Sequence, residues 1–319
     1  MYSVADMHCD TISAMWRMGC SEKGSLRSNR LSVDLEKMRA GNYLVQNFAM
    51  FVFLKDQEDP LLHVLTLIDE YYRQIEENAD FILPVYRYED IENNRKSGIL
   101  SALLTVEEGG VCKGSLEALR NLYRLGVRML TLTWNFENEL GYPGTTVNNT
   151  HGSMQGLKPK GIEFVREMDR IGMIVDVSHL GDGGFWDVVK YTDGPFVASH
   201  SNARAVCNHS RNLTDDMIRA LADKGGVMGL NFAGDFLHKG SSGTLDEMIA
   251  HLLHIRNVGG IDVMGLGSDF DGIDNVPEVA NASKMPLLAL AMERAGFTAR
   301  EIEAVFSGNV LRVYREKLK

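Results

Sequence analysis

One pattern constrains the fold more than any other: a short apolar run rich in β-branched residues ends at a polar or charged residue and is followed by a helical stretch. Eight such runs occur, at residues 3–8, 43–52, 99–107, 127–134, 173–179, 194–200, 226–232 and 263–270. Strictly alternating strands and helices imply a parallel sheet. Eight such units are the number that closes a (β/α)₈ TIM barrel. We therefore predict an α/β chain forming one TIM-barrel domain over residues 1–319.

The segments between the runs carry helix signals. SLEALRNLYRLG after Gly114 has helical periodicity and ends in glycine, which a helix C-terminus favours. A doubly wound open sheet is the competing fold, but no GxGxxG follows the first run. In a barrel, the loops after the strands build the active site. The longest of these loops are expected at 11–41 and 135–159.

Composition and charge exclude several classes of protein. The net charge is −10, without a basic cluster, which argues against a nucleic-acid partner. Four cysteines without a CxxC pair indicate reduced thiols. The N-terminal MYSVADMHCDTISAMW lacks the pattern of a signal peptide, and no segment approaches 18 uninterrupted apolar residues. We expect a cytoplasmic protein without a membrane span.

Residues that can bind a metal stand at the ends of the predicted strands: His8, Asp10, Glu107, His179, His200 and Asp269. In His8-x-Asp10 the two side chains project from the same side of a strand. Buried charge is costly unless it is paired or bound to a metal, so we predict a metal site at this end of the barrel. Histidines with carboxylates suit zinc, and five ligands exceed what one catalytic zinc takes. We therefore expect two Zn²⁺ ions that share one carboxylate.

Paired metal ions of this kind activate water for hydrolysis. Asp269, in the GSDFDG segment, is then free to accept the proton of that water and return it to a leaving amine. Asp271, two residues further, is the rival for this role, and its alternative interpretation is a carboxylate that caps a loop.

Taken in order, the motifs resemble the membrane dipeptidase (renal dipeptidase) family, binuclear zinc peptidases of the amidohydrolase superfamily. They are HxD at the first strand, VE followed by GG at the third, DVSH at the fifth, SHSNAR with RN further on at the sixth, and GSDFDG at the eighth. The resemblance extends from His8 to the NVLRVY segment near the C-terminus.

The resemblance implies a dipeptidase that cleaves free dipeptides with a metal-bridging hydroxide. It places His8, Asp10 and Glu107 on one zinc, and Glu107, His179 and His200 on the other. Glu108 is the alternative bridging ligand, but an ungapped match of VEEGG and LRNLY to the family pattern favours Glu107. Arg211 matches the arginine that grips the substrate's C-terminal carboxylate, a task that suits a planar fork of donors.

One position departs from the family. Members such as the renal enzyme have a histidine after the LTLT of the fourth strand, where it stabilises the charge that develops on the scissile carbonyl. Here that position is Trp134, which we expect to line the substrate pocket. His151, in the loop NNTHGSM, is the candidate replacement donor, with an ordinary solvent-exposed histidine as the alternative.

Two rival functions stay open at this stage. The same site would serve an amidohydrolase acting on another small amide or a lactam. The loss of the histidine at Trp134 also admits a catalytically silent metal- or peptide-binding protein, although an intact Asp269 argues against it. A homodimer is compatible with the sequence, which leaves the oligomeric state and the preferred side chains open.

Overall fold

The computed structural model describes residues 1–19, 24–145 and 153–319. The predicted barrel is confirmed: eight parallel strands form a closed ring with helices between them. A ninth short strand lies outside the ring. In chain order the strands are β1 Val4–Cys9, β2 Tyr43–Phe51, β3 Ile82–Pro84, β4 Leu100–Glu107, β5 Met129–Thr131, β6 Ile174–Asp176, β7 Val197–Ala198, β8 Val227–Leu230 and β9 Met264–Leu266.

The ring runs β1, β2, β4, β5, β6, β7, β8, β9 and back to β1. The pairing of β2 with β4, from Val45–Ser101 to Phe51–Glu107, is the longest described and closes the ring. The extra strand β3 pairs only with the first residues of β4. The sequence pattern missed β3 because its three residues, Ile-Leu-Pro, are too few to show a period and include a proline, which is typical of sheet edges.

Helices cover the outside of the ring. They are α1 Thr11–Met18, α2 Leu35–Ala40, α3 Pro60–Glu77, α4 Tyr88–Lys96, α5 Leu116–Arg124, α6 Pro159–Ile171, α7 Asp182–Tyr191, α8 Asp215–Asp223, α9 Gly234–Leu237, α10 Leu245–Gly259, α11 Met285–Arg294, α12 Ala299–Glu303 and α13 Asn309–Lys317. Local sequence explains several of their starts. Ser115 and Thr214 accept backbone N–H groups of α5 and α8, and Pro60 and Pro159 occupy first turns. The stretch at 11–41, expected to be a loop, contains α1 and α2.

Two buried aspartates fasten neighbouring strand ends together. Asp6 of β1 accepts the backbone N–H (2.9 Å) and the hydroxyl (2.6 Å) of Ser268. Asp176 of β6 makes the same pair of bonds, at 2.8 and 2.6 Å, with Ser199. Each serine immediately precedes a predicted site residue, Asp269 or His200. The two aspartates therefore fix the backbone from which the site projects.

The ring is tight beside Ser199. A Cβ added at Gly229 of β8 would lie 2.0 Å from the Ser199 carbonyl oxygen, and one added at Gly267 would lie 1.7 Å from it. Both distances are far inside van der Waals contact. Only glycine at these two positions lets the end of β7 approach β8 and β9 this closely.

Candidate active site

The strand ends bring the five predicted ligands into one buried cluster around Glu107. Glu107 Oε2 lies 3.4 Å from His8 Nε2. Its other oxygen, Oε1, lies 3.0 Å from His179 Nε2 and 3.6 Å from His200 Nε2. Glu107 is therefore placed between two sets of possible ligands, one through each carboxylate oxygen.

The remaining predicted residues lie beside His8. Its Nε2 is 3.5 Å from Asp10 Oδ2 and 3.8 Å from Asp269 Oδ1. Three overlapping groups in the described chain can each hold a cation: His8 with Asp10 and Glu107, Glu107 with His179 and His200, and His8 with His200 and Asp269.

The hydrogen bonds behind His179 and His200 test whether a metal fits here. His179 Nδ1 is 2.8 Å from Asn135 Oδ1, which can only accept, so this nitrogen carries the proton. His200 Nδ1 is 2.7 Å from the Ser199 hydroxyl, which already donates to Asp176. Both rings therefore turn unprotonated Nε2 atoms toward each other, 3.0 Å apart, with Glu107 Oε1 beside them. Facing lone pairs repel, and a bound cation removes that repulsion.

Unsatisfied atoms on the other side of the cluster support the same conclusion. Both ring nitrogens of His8 and Oδ1 of Asp10 are buried without a hydrogen-bond partner among the described residues. Buried polar atoms are rarely left in this state unless they have a functional role or an unseen ion. The donor set, three imidazoles and two carboxylates, is one that borderline divalent metals take.

The three histidines differ in proton affinity. Burial lowers the pKa of His179 and of His200 well below the usual range, and the positive charge of Arg211 adds to this. Burial also acts to lower the pKa of His8, but the carboxylates of Glu107 and Asp10 outweigh it and hold that pKa well above the usual range. Burial raises the pKa of Glu107 to about 7.

Glu108 lies outside the cluster. Its carboxylate accepts the backbone N–H of Gly110 (2.7 Å) and of Trp134 (3.0 Å) and the side-chain amide of Asn138 (2.5 Å). These bonds tie the end of β4 to the loop after β5, and the backbone adopts φ 113° to make them. Of the two adjacent glutamates, Glu107 therefore faces the possible ligands and Glu108 holds a loop.

Asp269 is oriented by a residue that the sequence analysis missed. Asn231, directly after β8, donates from its side-chain amide to Asp269 Oδ2 at 2.9 Å and is itself fully buried. This bond leaves Oδ1 on the side of His8. Asp271, the rival carboxylate, accepts the Thr11 hydroxyl (2.6 Å) and the Ser32 backbone N–H (2.7 Å), which is the arrangement of a loop-capping residue.

A cavity of about 490 Å³ opens onto the cluster, and Glu107, His179 and Asp269 are part of its wall. Trp134 also lines the cavity and packs against Phe51, with the centroids of the two rings 5.0 Å apart. The Trp134 ring lies 5.9 Å from that of His179. His151 falls outside the described residues.

Arg211 lies behind the cavity wall. Phe236 lines the cavity, and the Arg211 guanidinium carbon is 5.3 Å from its ring centroid, while Arg211 itself is only 3% exposed. It donates to the His200 carbonyl at 3.2 Å and to the Ser201 hydroxyl at 3.4 Å, but its Nε has no partner among the described residues. Burial lowers its pKa to about 10, so it stays a cation at neutral pH.

Known proteins share this architecture and sequence. The family model of the membrane dipeptidases, peptidase family M19, matches residues 1–319. An uncharacterised dipeptidase of Schizosaccharomyces pombe is 37% identical over 300 residues, which cover 89% of this chain and 71% of that protein. The chain belongs to the membrane dipeptidase family. It is a metal-dependent dipeptidase, a hydrolase acting on peptide bonds.

Two solved structures resemble this membrane dipeptidase over nearly its whole length. Dipeptidase AC, a family M19 metallopeptidase, is 25% identical with a TM-score of 0.89, covering 99% of each chain. A metallopeptidase from Rhodobacter sphaeroides, bound to a phosphinate mimic of L-Ala-D-Ala, is 24% identical with a TM-score of 0.90, covering 100% of this chain and 99% of that one. In the described part of the dipeptidase, every helix is too short or too polar to cross a membrane.

Proposed function

We propose that this dipeptidase hydrolyses free dipeptides with two zinc ions in the cluster around Glu107. His8, Asp10 and Glu107 would hold one ion, and Glu107, His179 and His200 the other. The observation that carries this proposal is the position of Glu107, whose two carboxylate oxygens face His8 on one side and the two other histidines on the other. When bound, the ions would supply an acidified water as the nucleophile and polarise the scissile carbonyl.

Asp269 is the proton carrier in this proposal. Its Oδ1 faces the cluster, and its Oδ2 is held by Asn231. From that position it takes a proton from the attacking water and delivers it to the amine of the leaving amino acid, acting first as a base and then as an acid. Burial raises the pKa of Asp269, which favours the return of the proton.

Arg211 binds the dipeptide's C-terminal carboxylate. Its guanidinium is buried, and its Nε has no hydrogen-bond partner among the described residues, so donors are left for an anion. A substrate carboxylate would satisfy them with two parallel hydrogen bonds. The phosphinate dipeptide mimic in the related Rhodobacter enzyme supports a substrate of this size.

Trp134 and His151 complete the proposed site. An indole N–H can donate a hydrogen bond but cannot become a cation. Trp134 therefore forms part of the pocket wall and restricts which substrate side chains the pocket accepts. His151 is proposed to donate to the developing oxyanion. Removing such a donor typically costs about 10²- to 10³-fold in kcat, so His151→Ala should lower kcat at least ten-fold while metal content stays the same.

The decisive experiment combines metal analysis with a substrate panel. Purified protein should hold two zinc ions per chain, lose activity with a chelator and cleave free L,L or L,D dipeptides. Dipeptides with an amidated C-terminus should be poor substrates, and Arg211→Lys should reproduce part of that defect without adding to it. Full activity with one ion per chain would defeat the binuclear scheme.

The same panel tests the proposed substrate class. Faster cleavage of N-acyl amino acids or lactams than of free dipeptides would contradict the proposed preference for free dipeptides. A cytoplasmic location, a homodimer and the lack of a nucleic-acid partner stay predictions, which fractionation, sedimentation and binding measurements can test.

A further inference from the structure

The charges that line the active-site cavity are unevenly distributed. Outside the cluster, Asp235 after β8 and Asp274 after β9 are exposed acidic residues in the wall. Asp271 also lines the cavity, but it is partly buried and its carboxylate is hydrogen-bonded to Thr11 and Ser32. On the side of α1, the wall contains one arginine, Arg17. A substrate carboxylate is repelled by the acidic stretch of the wall and attracted to Arg17.

Hydrogen bonds fix the place of Arg17. Ser13 of α1 donates to the Ala49 carbonyl (3.1 Å) and accepts the Phe51 N–H (3.0 Å), which docks α1 onto the end of β2. Arg17 lies one helical turn beyond Ser13 on the same face. It therefore lies next to Phe51, and the two residues line both the active-site cavity and an adjoining pocket of about 190 Å³.

Arg17 is also available for binding. It is exposed, and it has no hydrogen bond or ion pair with any residue that the structure describes. The other arginine that we assign to substrate binding, Arg211, donates to the carbonyl of His200 at the end of β7. In the ring of eight strands, β2 and β7 are diametrically opposite. The two arginines thus approach the metal cluster from opposite sides.

We infer that Arg17, with the aromatic surfaces of Phe51 and Trp134, forms the subsite for the side chain of the dipeptide's N-terminal residue and selects an acidic one. The inference rests on the proposed function, because Arg211 must hold the C-terminal carboxylate. With that end fixed on the β7 side, the N-terminal residue extends toward β2. Its methylene groups pack on the two aromatic rings, and its carboxylate pairs with Arg17.

The subsite therefore predicts a preference for an acidic residue, Glu or Asp, over the neutral Gln at the N-terminal position, because only the acidic side chains form an ion pair with Arg17.

The test measures kcat/KM of zinc-loaded protein for Glu-Ala, Asp-Ala, Gln-Ala, Ala-Glu and Ala-Ala. Native enzyme should prefer Glu-Ala over Gln-Ala by about five-fold, the upper range for a partly exposed ion pair. Arg17→Gln should remove that preference and leave Ala-Ala and Ala-Glu within about two-fold, and Arg17→Glu should favour Lys-Ala instead. Arg219→Gln is the matched control, because Arg219 is an exposed arginine of α8 paired with Asp216.

The outcomes separate the two proposals. Equal cleavage of Glu-Ala and Gln-Ala by the native enzyme would overturn the Arg17 subsite while leaving the dipeptidase intact. A loss in Arg17→Gln that falls on Ala-Glu would place Arg17 at the other end of the substrate and also overturn it. No cleavage of Ala-Ala by the zinc-loaded protein would overturn the proposed function itself.

Discussion

The two sides of the cluster around Glu107 are built differently. The β6/β7 side consists of His179 and His200. The ring of His179 is held by a hydrogen bond to Asn135, and the ring of His200 by a hydrogen bond to Ser199. The β1/β9 side consists of His8, Asp10 and Asp269. Neither ring nitrogen of His8 has a hydrogen-bond partner among the described residues, and the centroid of its ring lies 3.9 Å from that of His200.

The difference shows two ways to prepare a ligand for a cation. The β6/β7 histidines are oriented by their neighbours and are kept neutral, so their lone pairs are ready for a metal. His8 is surrounded by carboxylates that favour its protonated form, so a metal there must displace a proton. Glu107 contacts both sides.

The largest effect is expected at Glu107, because it is common to both sides. Glu107→Gln should reduce activity to background and weaken metal binding by more than about 100-fold, since even residues that only support a ligand contribute 10- to 100-fold. Metal content after dialysis against a weak chelator measures this. Glu108→Gln is the control, which should lower the melting temperature through the loop it holds but retain the metal. Equal metal loss in both variants would contradict the distinction.

Asp269→Asn should come next, with kcat reduced by about 10²- to 10⁴-fold, because it removes the proposed proton carrier. KM and metal content should change little. Asp271→Asn is the paired variant, and its effect should fall on stability, since Asp271 holds Thr11 and Ser32. A large kcat defect in Asp271→Asn with a normal Asp269→Asn enzyme would reverse the two assignments.

Asn135→Leu tests the support behind the β6/β7 side. It leaves the His179 ring without its hydrogen bond, so zinc affinity should fall by about 10- to 100-fold. Competition with a chromophoric chelator measures the affinity without reference to activity. Thr133→Val is a control from the same segment, because the buried Thr133 hydroxyl has no hydrogen-bond partner among the described residues. Unchanged affinity in Asn135→Leu would mean that packing alone orients His179.

The smallest effect concerns pH. Because the pKa of His8 is raised and those of His179 and His200 are lowered, acid should compete with metal first on the β1/β9 side. Below neutral pH, affinity there should fall by about ten-fold per pH unit for each proton displaced. Calorimetry in two buffers of different ionisation enthalpy should detect about one proton released per chain from His8 at pH 7, in addition to the proton lost by the metal-bound water. Zinc uptake without proton release would contradict the assigned protonation states.

The sequence allowed much of this architecture to be predicted, for physical reasons. Parallel barrel strands are buried on both faces, so they appear as continuous apolar runs, and residues at their carboxyl ends must converge. That is why His8, Glu107 and His200 could be placed together from the sequence. Strands β5 to β9 end before the predicted runs do, because the last residues of those runs leave the strand and form the site, whereas β1 has the predicted length and β4 ends at Glu107 as predicted.

The supporting residues could not be predicted in the same way. Asn135 and Asn231 act through single side-chain amides, and an asparagine after a strand is also an ordinary loop residue. Burial of Arg211 behind Phe236 depends on the packing of segments far apart in sequence. Only the folded chain reveals which amide faces which ligand.

The two glycines beside Ser199 limit how this enzyme can be changed. At Gly229 and Gly267 the Ser199 carbonyl occupies space that a side-chain methyl group would need. The adjacent His200 can therefore pack its ring against that of His8. The cluster therefore depends on the close approach of the Ser199 carbonyl to β8 and to Gly267 after β9. Laboratory evolution toward bulkier substrates has to enlarge the opposite rim, near Phe51 and Trp134, because added volume at either glycine would push the walls apart and separate the ligands.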